Sequence, residues 1–193
     1  MILDHLKRGN KVSDEEFDTL FSDRIRDQSA DHYTPVEVAK AAAHYLAANR
    51  ATEILDIGAG VGKFCLIGAI TTPAMYTGVE QTAELVDSGN QLIAQFNLDR
   101  IRLIHADIVE IDFSVFEAFY FYNTFHHLIS EMSTTPADRL RYRENSAYVA
   151  TQLQRLPVGT RLATYYSLLK EVPSSYVLQS SKFSNKLKFW KKI

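Results

Sequence analysis

An apolar run that ends in an acid and opens directly into three alternating glycines is the feature that most constrains this chain. The run, ILDIGAGVGKF, occupies residues 54–64, and its glycines are Gly58, Gly60 and Gly62. A short apolar run bounded by glycine is typical of a buried strand, and glycine lets a backbone turn tightly and approach a ligand closely. The segment therefore predicts a buried strand followed by a ligand-binding loop.

The spacing of the glycines distinguishes between kinds of loop. A P-loop has four residues between its first glycine and a Gly-Lys pair, and Ser or Thr follows that pair. Here only three residues separate Gly58 from Gly62, and Phe64 follows Lys63. A dinucleotide loop has its third glycine one position later than Gly62, where this chain has Lys63. The spacing excludes a P-loop and disfavours an NAD(P)-dependent oxidoreductase of Rossmann type, which we keep as an alternative.

Strands alternate with helices along the chain after residue 50. The predicted strands are TEILDIG, MYTGVE, IRLIHAD, AFYFYNTF and GTRLATYYS, and the tail SYVLQSSKFSNKLKFWKKI predicts a β-hairpin with strands near 176–182 and 186–191. Alternation of this kind implies right-handed crossovers and a parallel sheet with helices on both faces. We therefore predict a doubly wound α/β fold, with a mostly parallel seven-stranded sheet and a C-terminal antiparallel hairpin.

The residues before this region are helical in pattern. Ser13 and Glu16 have the spacing of a capping box, which predicts a helix over 13–26. A second helix is predicted to begin after Thr34 as N-cap, with a proline at its first position, and to run to about Ala48. We interpret residues 1–50 as a helical cap within the same domain as the core at 51–193.

Composition limits the class of protein. The chain has 193 residues, 46% of them hydrophobic, which suits one globular domain. A net charge of -2 does not favour a nucleic-acid or membrane-surface protein. Cys65 is the one cysteine, so there is no internal disulfide and no Cys/His pattern for zinc, and we expect no metal. Without a long apolar run, we expect a soluble, unprocessed, cytoplasmic protein.

Three acidic residues end successive predicted strands. Asp56 lies just before the glycine loop, Glu80 closes the second strand and Asp107 the third, so all three are expected at the edge where open α/β sheets bind ligands. An acid beside exposed backbone N–H groups would repel a pyrophosphate but suits a positively charged ligand. Glu80 can accept hydrogen bonds from both hydroxyls of a ribose, and Asp107 can meet an adenine amine.

These residues together resemble the class I, seven-stranded methyltransferases that depend on S-adenosylmethionine (SAM). DIGAGVG is similar to the first motif of that family, GVE to its second-strand acid and HAD to its third-strand acid, and the family also ends in an antiparallel strand. The resemblance covers residues 33–193 and implies a Rossmann-like methyltransferase fold, with S-adenosylhomocysteine as product.

The resemblance also implies where the cofactor binds. The glycines let the backbone approach it, Asp56 acts near its amino-acid moiety, Glu80 holds its ribose, and Asp107 with Ile108 frames its adenine. DHYTPVE resembles a Tyr/Phe-Thr-Pro segment that folds over the methionine end in several subgroups. The implied cofactor-binding residues are Tyr33, Thr34, Asp56, Gly58, Gly60, Gly62, Glu80, Asp107, Ile108 and Asn123.

The stretch YNTFHHL, residues 122–128, follows the fourth predicted strand, where the family places the groups that meet the methyl acceptor. Asn123 can offer a carbonyl oxygen to an incoming amine, Phe125 can wall the transfer site, and His126 or His127 can take a proton. Packing at the start of a helix is the alternative for either histidine. The predicted catalytic residues are Asn123, Phe125 and His126.

The acceptor itself is not specified by this stretch. It lacks the D/N-P-P-Y motif of methyltransferases acting on DNA adenine and on glutamine, and GVE paired with Asn123 is locally similar to histone-lysine methyltransferases without a SET domain. The prediction is methyl transfer to a nitrogen or oxygen nucleophile of a small molecule or protein side chain. A non-catalytic SAM-binding module is a second alternative. A nucleic-acid acceptor, which would use the lysine-rich tail, is not expected, and oligomeric state is open.

Overall fold

The computed structural model describes residues 2–27, 33–122, 125, 135–167 and 169–193. Its helices are α1 (Ile2–Lys7), α2 (Asp14–Asp18), α3 (Asp23–Arg26), α4 (Val36–Leu46), α5 (Lys63–Thr71), α6 (Ala83–Gln95) and α7 (Pro136–Arg155), with short 3-10 turns at Ile108–Glu110 and Phe113–Val115. Its strands are β1 (Glu53–Ile57), β2 (Met75–Glu80), β3 (Ile101–His105), β4 (Ala118–Tyr122), β5 (Arg161–Tyr165), β6 (Tyr176–Lys182) and β7 (Leu187–Lys192).

The strands of the described chain form one seven-stranded sheet in the order β3-β2-β1-β4-β5-β7-β6. The pairs from β3 to β5 are parallel, whereas β7 is antiparallel to both β5 and β6. The predicted fold class is therefore confirmed, including the terminal hairpin. The order reverses direction between β1 and β4, which is the switch point at which open α/β sheets bind ligands.

The apolar core lies on both faces of this sheet. Side chains alternate across a strand, so Tyr120 of β4 packs in the cluster that includes helices α1 to α6, and its neighbours Phe119 and Phe121 pack in the cluster that includes α7. Five aromatic or apolar residues in sequence at 118–122 are consistent with burial on both faces. The run is a core strand, as its composition predicts.

The helix predicted over 13–26 is wrong in one respect, because the chain breaks it into α2 and α3. The capping box is present: Glu16 N donates to Ser13 Oγ at 3.2 Å and Ser13 N to Glu16 Oε2 at 2.8 Å. The Thr19 hydroxyl, however, donates to the Glu16 carbonyl at 2.7 Å, and Ser22 has extended backbone before α3 begins. Local bonding of this kind competes with helix propagation.

The predicted capping role of Thr34 is also wrong. Its hydroxyl lies 2.9 Å from the Tyr120 hydroxyl instead, and Pro35 precedes the first residue of α4. The N–H group of Val36 donates at 2.8 Å to Asp14 Oδ1, so a carboxylate from α2 supplies the cap. Helix α4 ends at Leu46, slightly before the predicted end.

Candidate functional site

The glycine loop connects β1 to α5 at the carboxyl edge of the sheet. Gly58, Gly60 and Gly62 have φ angles of 75°, 56° and 81°, in the left-handed region that favours glycine. Gly58 N and Ala59 N both donate to the carbonyl of Val79 on the neighbouring strand, at 2.9 and 3.0 Å. The three glycines are therefore required by the backbone path of the loop.

Glycines outside the loop let neighbouring elements reach it, and the sequence analysis did not identify them. A Cβ atom added at Gly78 of β2 would lie 2.6 Å from Leu103 Cδ2. One added at Gly89 of α6 would lie 2.2 Å from Leu103 Cδ1 and 2.6 Å from the carbonyl oxygen of Val61 in the loop. Gly89 stands inside an amphipathic helical pattern, and such a glycine is a signal of close packing.

Glu80 lies at the end of β2, beside the loop. Its Oε2 accepts a hydrogen bond from Gly60 N at 3.0 Å, and its Oε1 accepts one from Thr82 N at 2.9 Å. A carboxylate has about four acceptor positions, so both oxygens keep capacity for further donors. Glu80 therefore lies beside the glycines at the carboxyl edge of the sheet, and its predicted role toward a ribose stays a prediction.

Tyr33 packs on the same loop from the N-terminal side. A Cβ atom at Gly60 would lie 3.0 Å from Cε1 of the Tyr33 ring, so the ring covers this glycine. The Tyr33 hydroxyl is buried and has no hydrogen-bond partner among the described residues. Burial, then the charges of Glu80 and Asp18, raise the pKa of Tyr33 to about 12, so the hydroxyl keeps its proton and remains a donor.

Asp56 is enclosed between β1 and α5 rather than displayed at the surface. It is 3% exposed, and the Cys65 thiol donates to its Oδ2 at 3.5 Å. Burial raises the pKa of Asp56 to about 7, while the thiol bond opposes this and the charge of Glu80 adds to it. Burial also raises the pKa of the Cys65 thiol, so Cys65 is an enclosed apolar residue and not an accessible nucleophile.

Asp107 follows β3, at the far side of the loop from Tyr33. Its Oδ2 accepts a hydrogen bond from Arg141 Nη2 at 2.8 Å. Its side chain also caps the 3-10 turn Ile108–Glu110, in which Ile108 is buried. Arg141 comes from α7, and no spacing in the sequence connects it to Asp107, so this contact could not be predicted. The predicted roles of Asp107 and Ile108 toward an adenine stay predictions.

The acceptor side is described only in part. Asn123, His126 and His127 lie outside the described residues, and their predicted roles stay predictions. Phe125 is 4% exposed, with its ring centroid 5.7 Å from that of Phe121, so it packs in the α7-side core.

Tyrosines end the two strands that follow the switch point. The rings of Tyr122 and Tyr165 are 5.0 Å apart, and those of Tyr165 and Tyr166 are 4.8 Å apart. Lys186 Nζ lies 4.7 Å from the centroid of Tyr166, which is 48% exposed. This aromatic edge extends from β4 toward the hairpin.

Metal-binding clusters and bilayer-spanning helices are both absent from the described ranges. No cluster of three or more His, Cys, Asp or Glu side chains there has the arrangement of a metal site. None of the helices in those ranges has the length and apolar run needed to cross a bilayer.

Comparison with known families identifies the central part of the chain. Residues 54–141, which contain the loop, Glu80, Asp107 and β4, match the family described as "Methyltransferase domain". The match covers less than half of the chain, so the chain is similar to this family over that segment. The sheet of the described chain, with seven strands and antiparallel pairing at its C-terminal end, has the fold of solved methyltransferase structures. No curated protein matches the sequence closely enough to be a relative.

Solved structures with this methyltransferase domain fold include three distant neighbours. TrmN from Thermus thermophilus is similar with a TM-score of 0.63 and 15% identity, over 88% of this chain and 52% of that one. An RNA methyltransferase from Salinibacter ruber in complex with S-adenosylhomocysteine has a TM-score of 0.58 and 17% identity, over 83% and 92% of the two chains. The [4+2]-cyclase SpnF has a TM-score of 0.52 and 17% identity, over 67% and 43%. The chain thus spans about half or less of two of these neighbours.

Proposed function

We propose that this protein is a SAM-dependent methyltransferase acting on a nitrogen or oxygen nucleophile of a small molecule or a protein side chain. One observation carries the proposal: Glu80 holds Gly60 N and Thr82 N while keeping acceptor capacity beside three left-handed glycines. A nucleoside with two ribose hydroxyls fits this arrangement. The position of the third glycine disfavours NAD(P), because a dinucleotide loop has that glycine where this chain has Lys63.

The residues around the loop fit the cofactor. Glu80 would hold the ribose, Asp107 and Ile108 the adenine, and the buried Tyr33 hydroxyl supplies a donor without a partner in the described structure. When bound, SAM supplies a methyl group on a positively charged sulfur and becomes S-adenosylhomocysteine. The acids along this edge favour that positive charge.

The protein's contribution to transfer is expected to be alignment. Because the methyl group is already activated, little acid–base chemistry is needed, and alignment of two bound partners can supply about 7–11 kcal/mol of the barrier. Burial at the ends of β4 and β5, where Tyr165 is 7% exposed, would favour a neutral amine over its charged form. Asn123, Phe125 and His126 remain the predicted acceptor-side residues.

Ligand binding followed by turnover tests the proposal. Thermal unfolding is measured with SAM, S-adenosylhomocysteine, NAD and ATP, and a ligand at a hundred times its Kd should raise Tm by about 5–11 °C. A rise with SAM and S-adenosylhomocysteine alone supports the cofactor, and a rise with NAD alone overturns it. Production of S-adenosylhomocysteine from SAM is then measured in the presence of a mixture of candidate acceptors. Turnover indicates an enzyme, and binding without turnover indicates a SAM-binding module.

A matched pair of variants makes this test specific to the site. Glu80→Gln removes the charge that faces the ribose and should weaken SAM binding by about tenfold or more. Glu84→Gln is the control, because Glu84 is an exposed acid of α6 that pairs with Arg24 at 2.6 Å. Equal affinities in the two variants would remove Glu80 from the cofactor site.

A nucleic-acid acceptor is the second candidate, because the fold brings several lysines together at one end of the hairpin although the net charge of the chain is -2. Lys182, Lys186 and Lys188 lie at the hairpin end that adjoins the carboxyl end of β5, together with exposed Tyr166 and Phe183. Lysines interleaved with aromatic rings suit single strands. The Salinibacter ruber neighbour is named as an RNA methyltransferase. Binding of a labelled oligoribonucleotide that falls steeply with salt would favour this acceptor, and absence of binding at low salt would exclude it.

A further inference from the structure

Lys63, the first residue after the glycine loop, is buried against the N-terminal helices. Its side chain is 2% exposed, and its Nζ lies 2.9 Å from Asp14 Oδ1 and 2.7 Å from Asp18 Oδ1. The Phe17 ring lies on the same amine, 5.6 Å from centroid to Nζ. A buried lysine needs such partners to offset its lost hydration. Lys63 therefore ties the loop to α2.

Asp14 extends this connection to the segment that covers the loop. The oxygen that contacts Lys63 also accepts a bond from Val36 N at 2.8 Å, at the start of α4. Thr34 bonds to Tyr120 at 2.9 Å, which fixes the same segment on β4. Tyr33, the first described residue of this segment, is thus held against Gly60 from two sides.

The position of Tyr33 suggests which part of a ligand it meets. Glu80 and Asp107 end β2 and β3, so a nucleoside held by them leaves the rest of SAM to extend across the loop toward β4. The Tyr33 segment lies on that side. Its buried hydroxyl has no partner among the described residues, and a ligand carboxylate or amine would provide one.

We propose that Lys63 is a positioning residue that, through Asp14, holds Tyr33 against the glycine loop and so gives the site its affinity for the amino-acid half of the cofactor. The inference rests on the proposed function, because it concerns the same site. It makes a separate prediction: a change at Lys63 should weaken the affinity for the amino-acid half of the cofactor and leave the affinity for its nucleoside half unchanged.

The test compares two ligands that share a nucleoside. S-adenosylhomocysteine carries the amino-acid half, and 5′-methylthioadenosine lacks it. Lys63→Met removes the amine and keeps an unbranched side chain of four heavy atoms. It should weaken binding of S-adenosylhomocysteine by about tenfold or more and that of 5′-methylthioadenosine by less than about twofold, measured by calorimetry. Lys40→Met is the matched control, because Lys40 pairs with Glu37 on α4 away from the loop, and should change neither.

A second variant separates positioning from a general loss of stability. Tyr33→Phe removes a hydroxyl that has no partner in the described structure, so the fold should remain, and the same selective loss is expected. If Lys63 acts through Tyr33, the double variant should lose less affinity than the sum of the single losses.

The outcomes are distinguishable. Equal losses for both ligands in Lys63→Met, or an unchanged affinity for S-adenosylhomocysteine in Tyr33→Phe, would overturn the inference alone. If Lys63→Met does not fold, Asp14→Asn takes its place, because it weakens the same connection at a side chain that is 44% exposed, and the same selective loss is expected. A wild-type protein that binds neither ligand would overturn the proposed function as well.

Discussion

Asp56 illustrates how one residue can matter to a site without facing the ligand directly. The sequence places this acid immediately before the loop, and the structure encloses it between β1 and α5, with the Cys65 thiol as its donor. Spacing alone could predict the position along the strand but not the depth, because burial depends on α5 packing over it.

The raised pKa of Asp56 gives a pH-dependent prediction. Burial raises it from 3.8 to about 7, so between these values the folded chain holds a proton that the unfolded chain has lost. Stability from this group therefore falls as pH rises from about 4 to 7 and stays low above that range. Asp56→Asn cannot ionise and should unfold at higher urea than the wild type at pH 8, with a smaller advantage at pH 5.

The control for this measurement is Asp99→Asn, since Asp99 is an exposed acid whose side chain is 88% accessible. It should follow the wild-type curve at both pH values. An advantage of Asp56→Asn that is the same at pH 5 and pH 8 would show that ionisation of Asp56 does not limit stability.

At the scale of elements, the strands were the most predictable part of the chain. β2 and β6 have the predicted sequences, because apolar runs between turn residues leave few alternatives. The break between α2 and α3 was not predictable from the apolar pattern, and at this break the Thr19 hydroxyl donates to the Glu16 carbonyl. Thr34 has the right residue type for a cap, but a tertiary partner, Tyr120, takes its hydroxyl.

The same limit applies to the site. The positions of Gly58, Gly60 and Glu80 at the carboxyl edge of the sheet could be predicted, because their spacing follows from the strand–loop order. The ion pairs of Lys63 and Arg141 could not, because each partner is distant in sequence, namely Asp14 for Lys63 and Asp107 for Arg141. Sequence reasoning finds residues that the backbone path dictates, and it misses those that depend on packing between elements.

Contact between α6 and the loop gives a prediction at this scale. Gly89→Ala would put a Cβ 2.2 Å from Leu103 and 2.6 Å from the Val61 carbonyl, so α6 must move away from the loop. Alanine favours a helix by about 1 kcal/mol over glycine, yet we expect a net loss of about 1–3 kcal/mol in unfolding free energy from overpacking. SAM affinity should fall too.

Asn90→Ala on the same helix is the control, because Asn90 is exposed and the substitution adds no atoms toward the sheet. It should leave both urea unfolding and SAM titration within error of the wild type or slightly improved. A Gly89→Ala protein that is more stable than the wild type would show that the helix accommodates the added methyl group without moving.

For the whole molecule, the last strand in the sequence is not at the edge of the sheet, because β7 lies between β5 and β6. The sheet is therefore complete only when β7, which contains the last residues of the sheet, pairs with β5 on one side and with β6 on the other. Lys192 joins this closure to α7: it is 6% exposed, its Nζ donates to the carbonyl of Leu153 at 3.2 Å and to that of Gln154, and it lies over the Tyr176 ring.

These contacts predict that Lys192 supports the whole fold, unlike its neighbour. The last carbonyls of α7 have no hydrogen-bond partners within the helix. A lysine there offsets their partial negative charge and donates hydrogen bonds to them. Lys192→Met should lower the free energy of unfolding by about 1–3 kcal/mol in urea, while exposed Lys191→Met should change it by less than about 0.5 kcal/mol. Because both lysines lie at the sheet edge opposite the glycine loop, SAM affinity at low temperature should stay the same in each. Equal stability of the two variants would mean that strand pairing alone closes the sheet.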